Sequence, residues 1–305
     1  MVSKGNSVLV TGATGLVGRQ LCKELLKRGY SVHALSRSNR KMEGCTCFLW
    51  DIEAQRIDPK AFKGVSAIIH LAGAGVGDRR WTTRYKQQIY DSRIESTRLL
   101  MNTLKTIDHS VDSFISASAV GYYDDHGSEW ITEEAPMAEE FIARLCRDWE
   151  SEGQRAESLG IRYVALRIGL VLSRKAGFLP KTTMTLPFRM LNYFGNGKHY
   201  YAWIHEKDVV DMFCHALTNS SVRGVYNAVA PNPVPQKKML AELKKVLSKG
   251  LIMLPVPTFA LRIVLGEMAR VVVFSQRVSA RKILDTGFTF SFDKVDEAFS
   301  DLYSA

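Results

Sequence analysis

VLVTGATGLVG, residues 8–18, is a short apolar run with β-branched residues, followed at once by three glycines spaced three apart. The run SVLVTG (7–12) has the composition of a buried strand. LVGRQLCKELLKRG (16–29) has the apolar spacing of an amphipathic helix and stops at Gly29. A glycine-rich turn that closes a strand and opens a helix is a dinucleotide-binding device. Gly12 lets the chain turn tightly. Gly15 lets a pyrophosphate approach backbone N–H groups at the helix N-terminus, and Gly18 lets the helix pack close to the sheet. The first candidate binding set is therefore Gly12, Thr14, Gly15, Leu16, Val17 and Gly18. Its spacing is G-x-x-G-x-x-G rather than G-x-G-x-x-G.

Outward from this turn, strand patterns alternate with helix patterns. SVHALS (31–36), CTCFLW (45–50), VSAIIHLAG (65–73), SFISAS (113–118) and IRYVALRIG (161–169) read as buried strands. Helical segments are expected over 82–107 and 138–158. Short links between alternating strands and helices predict an α/β fold, a doubly wound parallel sheet covered on both faces.

The end of the second strand selects the dinucleotide. An NAD site places Asp or Glu there for the ribose 2′-hydroxyl. Here the strand ends Ala34-Leu35-Ser36-Arg37, and no acid occurs from Gly29 to Met42. Arg37 is followed by Arg40 and Lys41. A guanidinium forms charge-assisted bonds to a 2′-phosphate, which an acid would repel. Ser36 and Arg37 thus predict NADP(H) over NAD(H).

The remaining totals narrow the class. The chain has 305 residues, 46% apolar and 24% charged, ordinary for a globular protein. The net charge is +10, yet the basic residues are dispersed, with short clusters only at 37–41 and 244–249. No nucleic-acid module is visible, so a solvated surface and a phosphate-rich cofactor account for the charge. The cysteines number five, an odd count without a metal-ligand spacing, and read as reduced thiols. MVSKGNSVLV lacks the pattern of a signal peptide, and a cytoplasmic location is expected. The apolar stretch 251–274 is broken by Pro255, Pro257, Arg262, Glu267 and Arg270. It is expected not to span a membrane, and its part 259–274 to complete a monomer core or form a homodimer interface.

GATGLVG, HLAG (70–73), SASAVGYY (116–123), LRIGLVL (166–172), WIHEKDVV (203–210) and GVYNAVAP (224–231) occur in the order seen in extended short-chain dehydrogenases/reductases, which the chain resembles. Within them it looks like the atypical "epimerase family" branch, sometimes labelled cell-division-inhibitor-like. The marks of that branch are RRW (79–81), DSR (91–93), LCRDWE (145–150), LPFR (186–189), AWIH (202–205) and the block from LPVP (254–257) to DTGFTFSF (285–292). The resemblance covers nearly the whole chain. It implies a Rossmann NADP-binding domain over 1–171, to which 203–230 returns. It also implies a smaller substrate-side domain from 172–202 and 231–305. Further cofactor contacts implied are Leu71, Ala72, Gly73, Gln88, Arg93 and Val171.

In active relatives a Ser or Thr orients a substrate carbonyl, a Tyr moves the proton, and a Lys lowers the Tyr pKa. Ser118 fills the first role by its SASA context. Aligning PMAEEFIARLCRDWE on Glu150 puts Ile142 and Cys146 where Tyr and Lys belong, and a shift by one gives Phe141 and Leu145. Neither register supplies the acid–base pair. Three outcomes stay open. Tyr122, Tyr123 or His205 substitutes, with Arg93 or Arg167 as the cation; solvent gives the proton while Ser118 polarises the carbonyl; or the protein binds cofactor without turnover. Ser118 and Tyr122 are the catalytic candidates. Arg93 and Arg167 read equally as structural ion-pair partners, His205 as a structural histidine, and Asp208 as a local hydrogen-bond partner or the cap of a helix over 208–218. Loops 173–181 and 195–201, carrying Arg174, Lys175 and Lys198, are expected to border the substrate site or to run over the surface. The expected activity is that of an NADP(H)-dependent oxidoreductase or epimerase-like protein acting on a small carbonyl or hydroxyl compound. The alternative is an NADP(H)-binding regulatory protein.

Overall fold

The structure, a computed structural model, describes residues 6–38, 41–247 and 250–304. Arg40 and the last two residues of the basic cluster at 244–249 lie outside the described residues.

The central sheet has eight strands. From one edge they run Gly224–Ala228, Arg162–Ile168, Ser113–Ala119, Val65–His70, Ser7–Thr11, Ser31–Ser36, Cys45–Asp51 and Arg56–Ile57. All neighbours are parallel except the last pair. The sheet grows in one direction from Ser7–Thr11 and then in the other from Val65–His70. Those two strands pair Thr11 with His70 at their carboxyl ends, where a doubly wound sheet opens its ligand crevice.

Alternation along each strand sends side chains to two separate cores. Val8 and Val10 join one core with Leu21, Cys22 and Leu25 of helix Leu16–Lys27, and with Phe213 of helix Glu206–Thr218. Leu9 joins the other, with Leu99, Leu100 and Leu104 of helix Thr83–Thr106. Helix Phe141–Gln154 lies beside Thr83–Thr106. It is shorter than the expected 138–158, because the chain tightens into a 3-10 turn over Arg155–Leu159 and stops at Gly160, φ +74°.

A third core lies under the second half of the chain. Leu172, Leu191 and Trp203 meet Met239 and Leu243 of helix Gln236–Leu247 and Phe299 of helix Val295–Tyr303. Strand Ile252–Val256 pairs in parallel with Met190–Phe194. The stretch 251–274 is that strand followed by two short helices, Thr258–Leu265 and Met268–Val273. Among the described residues no helix is long and apolar enough to cross a membrane. Helix Glu206–Thr218 and strand Gly224–Ala228 pack on and extend the central sheet.

Asp208 does not cap its helix. The helix begins at Glu206, and His205 Nδ1 accepts from Lys207 N at 3.2 Å. Asp208 instead accepts the N–H groups of Ser291 and Phe292, at 2.8 and 3.1 Å, and pins the C-terminal segment.

Candidate functional site

Gly12 has φ +65°, and a Cβ there would stand 2.7 Å from the carbonyl of Leu71. A Cβ on Gly18 would meet Gly12 O at 2.2 Å. Both glycines are therefore required by close backbone approach. Helix Leu16–Lys27 starts at Gly15 with no side-chain cap and no acid in its first turn. Its N–H groups and the positive end of its dipole are left for an anion. A cavity of about 710 Å³ opens beside the turn, lined by Thr14, Gly15 and Leu16. Its cations Arg19, Lys23, Lys41 and Lys175 outnumber its one carboxylate, Glu43. Ser36 Oγ accepts from Ser38 N at 3.3 Å and shapes the chain around Arg37. Arg37 is exposed and makes no ion pair among the described residues.

The strand end after His70 is held by a buried relay. Thr11 Oγ1 accepts the N–H groups of Leu71 and Ala72, both at 3.1 Å. With its acceptor side so used, it gives its own proton to His70 Nδ1, 2.7 Å away. His70 is then the Nε2–H tautomer and donates to Thr97 Oγ1 at 3.0 Å. Complete burial pushes its pKa down to about 3. Neither Thr11 nor His70 was a candidate on sequence. The HLAG motif carried the histidine, but only the fold gives it a partner 59 residues away.

Arg93 lies directly over Gly73, where a Cβ would be 2.7 Å from its Cζ. It donates to Ala74 O at 3.0 Å and Ile89 O at 3.1 Å, and its guanidinium stands 5.1 Å from the Trp149 ring centroid. No carboxylate pairs with it among the described residues, so the ion-pair reading fails for Arg93. Burial lowers its pKa. Leu71, Ala72, Gly73 and Arg93 are thus brought together with Gly12. Val171 packs on the same core as Leu71 and Tyr122. Gln88 is exposed on its helix, and its side chain makes no hydrogen bond among the described residues.

Arg167 does take the ion-pair role. Its Nε and Nη2 each donate to one oxygen of Glu150, both at 2.8 Å, with the two side chains 5% and 11% exposed. Ser118 Oγ donates to Glu150 Oε1 at 2.6 Å, so the candidate hydroxyl is held by a carboxylate. Arg167 Nη1 reaches Tyr123 OH at 2.8 Å, and that phenol donates to Asn227 Oδ1 at 2.7 Å. Burial raises the Tyr123 pKa against the pull of Arg167. The Tyr122 ring lies under the same guanidinium, 3.5 Å from Cζ to centroid. Glu150, only an alignment anchor in the sequence, is the hub of the site.

Ile142 and Cys146 sit in an apolar cluster with Trp81, Tyr85 and Ile89, and Tyr122 packs against it. Burial raises the Cys146 thiol to about 12. The position expected for a lysine therefore holds a neutral group. Tyr85, Tyr90 and Tyr123 donate their hydroxyls to Gly75 O, Asp148 and Asn227. Among the described residues the Tyr122 hydroxyl, alone of these four, makes no hydrogen bond. His205 is occupied as a helix cap, 3.4 Å from Asp301, with its pKa lowered by burial. The expected loop 173–181 ends in the short helix Phe178–Thr182, from which Lys181 donates to Gly77 O and ties it to the chain after Gly73. Arg174 is held by Leu302 O and Lys175 by Glu206 at 3.2 Å each.

The family model described as the NAD dependent epimerase/dehydratase family matches residues 8–228, and one described as a domain of unknown function (DUF1731) matches 256–302. The chain is 34% identical over 301 residues to the chloroplastic epimerase family protein SDR39U1 homolog of Arabidopsis thaliana, covering 96% of this chain and 85% of that protein. It is 34% identical over 301 residues to epimerase family protein YfhF of Bacillus subtilis, covering 97% of each. The crystal structure of human epimerase family protein SDR39U1 with NADPH superposes with a TM-score of 0.83 at 27% identity, over 97% of this chain and 99% of that one. The glycine turn, the sheet order and the full-length match agree: the chain belongs to the NAD dependent epimerase/dehydratase family, as a short-chain dehydrogenase/reductase of the epimerase-family branch.

Proposed function

We propose that this protein binds NADP(H) and catalyses oxidoreduction of a small carbonyl or hydroxyl compound, with Tyr122 moving the proton. The cofactor part is supported by the cradle of Gly12 and Gly18, the uncapped helix, the unpaired Arg37 and the NADPH in the human relative. Gly12 through Gly18 would hold the pyrophosphate, Arg37 and Lys41 the 2′-phosphate, and Leu71–Gly73 the chain beside it. When bound, such a cofactor supplies or accepts a hydride.

The observation that carries the catalytic part is the free Tyr122 phenol over Arg167, against the cluster of Ile142 and Cys146. The guanidinium lies on the face of the Tyr122 ring, 3.5 Å from its centroid, and fixes where that ring stands. Ser118, its proton directed to Glu150, orients through an acceptor lone pair or holds Glu150 in place.

The test is a screen of aldehydes, ketones and sugar nucleotides with NADPH, in wild type and Tyr122→Phe. Turnover in wild type that falls about 10²- to 10⁴-fold in the variant, with NADPH affinity unchanged, supports the reading. Turnover insensitive to the variant assigns the proton to solvent. NADPH binding without turnover on any compound favours the regulatory reading. A neutral Cys146 and a Ser118 tied to Glu150 are the observations on its side.

A further inference from the structure

Residues 275–279, in the C-terminal stretch that matches a domain of unknown function, run along the loop that follows Ser118. Ser275 O accepts from His126 N at 3.1 Å, and Ser275 Oγ donates to Gly127 O. Arg277 Nη1 donates to Ser128 O at 3.2 Å, and its guanidinium stands 4.2 Å from the Trp130 ring centroid. Arg277 and Val278 pair in parallel with Trp130 and Ile131, and Ser279 N donates to Ile131 O at 2.8 Å. Gln276 reaches further back, to the turn that carries Tyr122. Its Nε2 donates to Val120 O at 3.1 Å and to Tyr123 O at 2.8 Å.

That turn is weak by itself. It is a 3-10 turn over Val120–Tyr122 with no side-chain cap, closed by Tyr123 N on Val120 O at 3.0 Å. Hydrogen bonds of 3-10 geometry are poorly aligned. The Tyr122 hydroxyl makes no hydrogen bond among the described residues, so nothing at the far end of the side chain fixes it. The ring stands where its backbone and the Arg167 guanidinium put it. Two segments hold that backbone from outside. Ala138 N donates to Tyr122 O at 2.9 Å, and the single Gln276 amide ties the carbonyls on both sides of Gly121 and Tyr122. Gln276 is itself anchored, its N–H donating to Tyr200 O at 3.0 Å.

We propose, building on Tyr122 as the proton-transfer group, that Gln276 is its positioning residue and that clamping this turn is what the C-terminal stretch does for the site. A reacting group displaced by about 1 Å loses on the order of 10²-fold in rate, so two hydrogen bonds behind the turn reach the chemistry.

The experiment labels the tyrosines with carbon-13 at Cζ and follows Tyr122 by NMR in the full chain, alongside turnover of the aldehydes, ketones and sugar nucleotides of the NADPH screen. There are 11 tyrosines, and the signal lost in Tyr122→Phe assigns the one that matters. Gln276→Met keeps the length and removes the donor, whereas Gln276→Lys keeps a donor. Arg277→Ala removes the neighbouring bond and ring contact without touching the turn. In Gln276→Met the Tyr122 signal should shift or broaden and kcat fall about 10- to 100-fold, with KM and NADPH affinity unchanged. Gln276→Lys should return both toward wild type. Arg277→Ala should lower the melting temperature and leave the Tyr122 signal and kcat as they are. Should Gln276→Met not fold, Gln276→Glu, which also lacks a donor, takes its place. A Tyr122 signal unmoved in the donorless variant, moved as far in Gln276→Lys or Arg277→Ala, or moved with kcat unchanged overturns the proposal. A signal that moves in the donorless variant alone, in a protein that turns over none of the compounds, upholds the clamp and removes the proton-transfer reading instead.

Discussion

Glu150 and Arg167 form a two-bond ion pair inside the protein, at 2.8 Å on both arms, joining helix Phe141–Gln154 to strand Arg162–Ile168. The same carboxylate accepts from Ser118, and the same guanidinium covers Tyr122 and reaches Tyr123. Removing one partner leaves a buried charge alone. Glu150→Gln is expected to cost about 3–5 kcal/mol of stability, read from urea denaturation. A double variant with apolar residues at both positions should recover part of that loss. Additive losses would show that the two side chains act independently.

Thr11 and His70 predict a pH dependence. Burial depresses the folded pKa of His70 to about 3, below its unfolded value near 6.5. Its contribution is therefore complete above pH ~6.5 and is lost as pH falls toward 3, because only the unfolded chain takes the proton. The slope from this residue approaches about 1.4 kcal/mol per pH unit. His199, His205 and His215 are also lowered by burial, so His70 is isolated by comparison. His70→Asn should lower stability at pH 7 and flatten the decline from pH 6.5 to 5. An unchanged slope would remove His70 from the account.

Gly18→Ala tests the close approach of helix and strand. The new Cβ would stand 2.2 Å from Gly12 O and 2.8 Å from Ala13 Cα, so backbone must move. The expected cost is about 1–3 kcal/mol of stability, together with weakened NADPH binding in a fluorescence titration. Wild-type affinity in this variant would place the cofactor elsewhere.

Arg37→Ala tests the choice of dinucleotide. A charge-assisted bond is worth roughly 1.5–3 kcal/mol, so NADPH affinity should fall about ten- to a hundredfold while NADH affinity stays the same. Paired titrations at fixed salt measure the ratio. A constant ratio would move the 2′-phosphate contact to another cation, such as Lys41 of the same cavity.

The sheet was legible because its strands are apolar runs bounded by turns, and Gly12, Gly15 and Gly18 lie where a strand ends and a helix starts. That the acid–base pair is replaced could be read in either register, Ile142 and Cys146 or Phe141 and Leu145, because Glu150 anchors their helix. The role of Glu150 itself was hidden, since its partners Ser118 and Arg167 come from other strands. Arg93 and Arg167 look alike in sequence. Only tertiary placement gives one a carboxylate and the other backbone carbonyls and an indole face. Asp208 has a favoured capping residue type, but the helix starts two residues earlier and the side chain serves a segment more than eighty residues on.

The parallel pairing of Ile252–Val256 has a consequence for the protein at high concentration. Without its prolines LIMLPVP would be the kind of short, uncharged, apolar segment that stacks into fibrils when its edge is open. Here Pro255 takes one N–H from that edge, leaving Met253 as the donor between residues 252, 254 and 256, whose backbone groups turn to the neighbouring strand. An edge with so few donors makes a poor template for a growing ladder. Pro255 therefore acts as a gatekeeper, keeping an apolar strand from becoming an aggregating one.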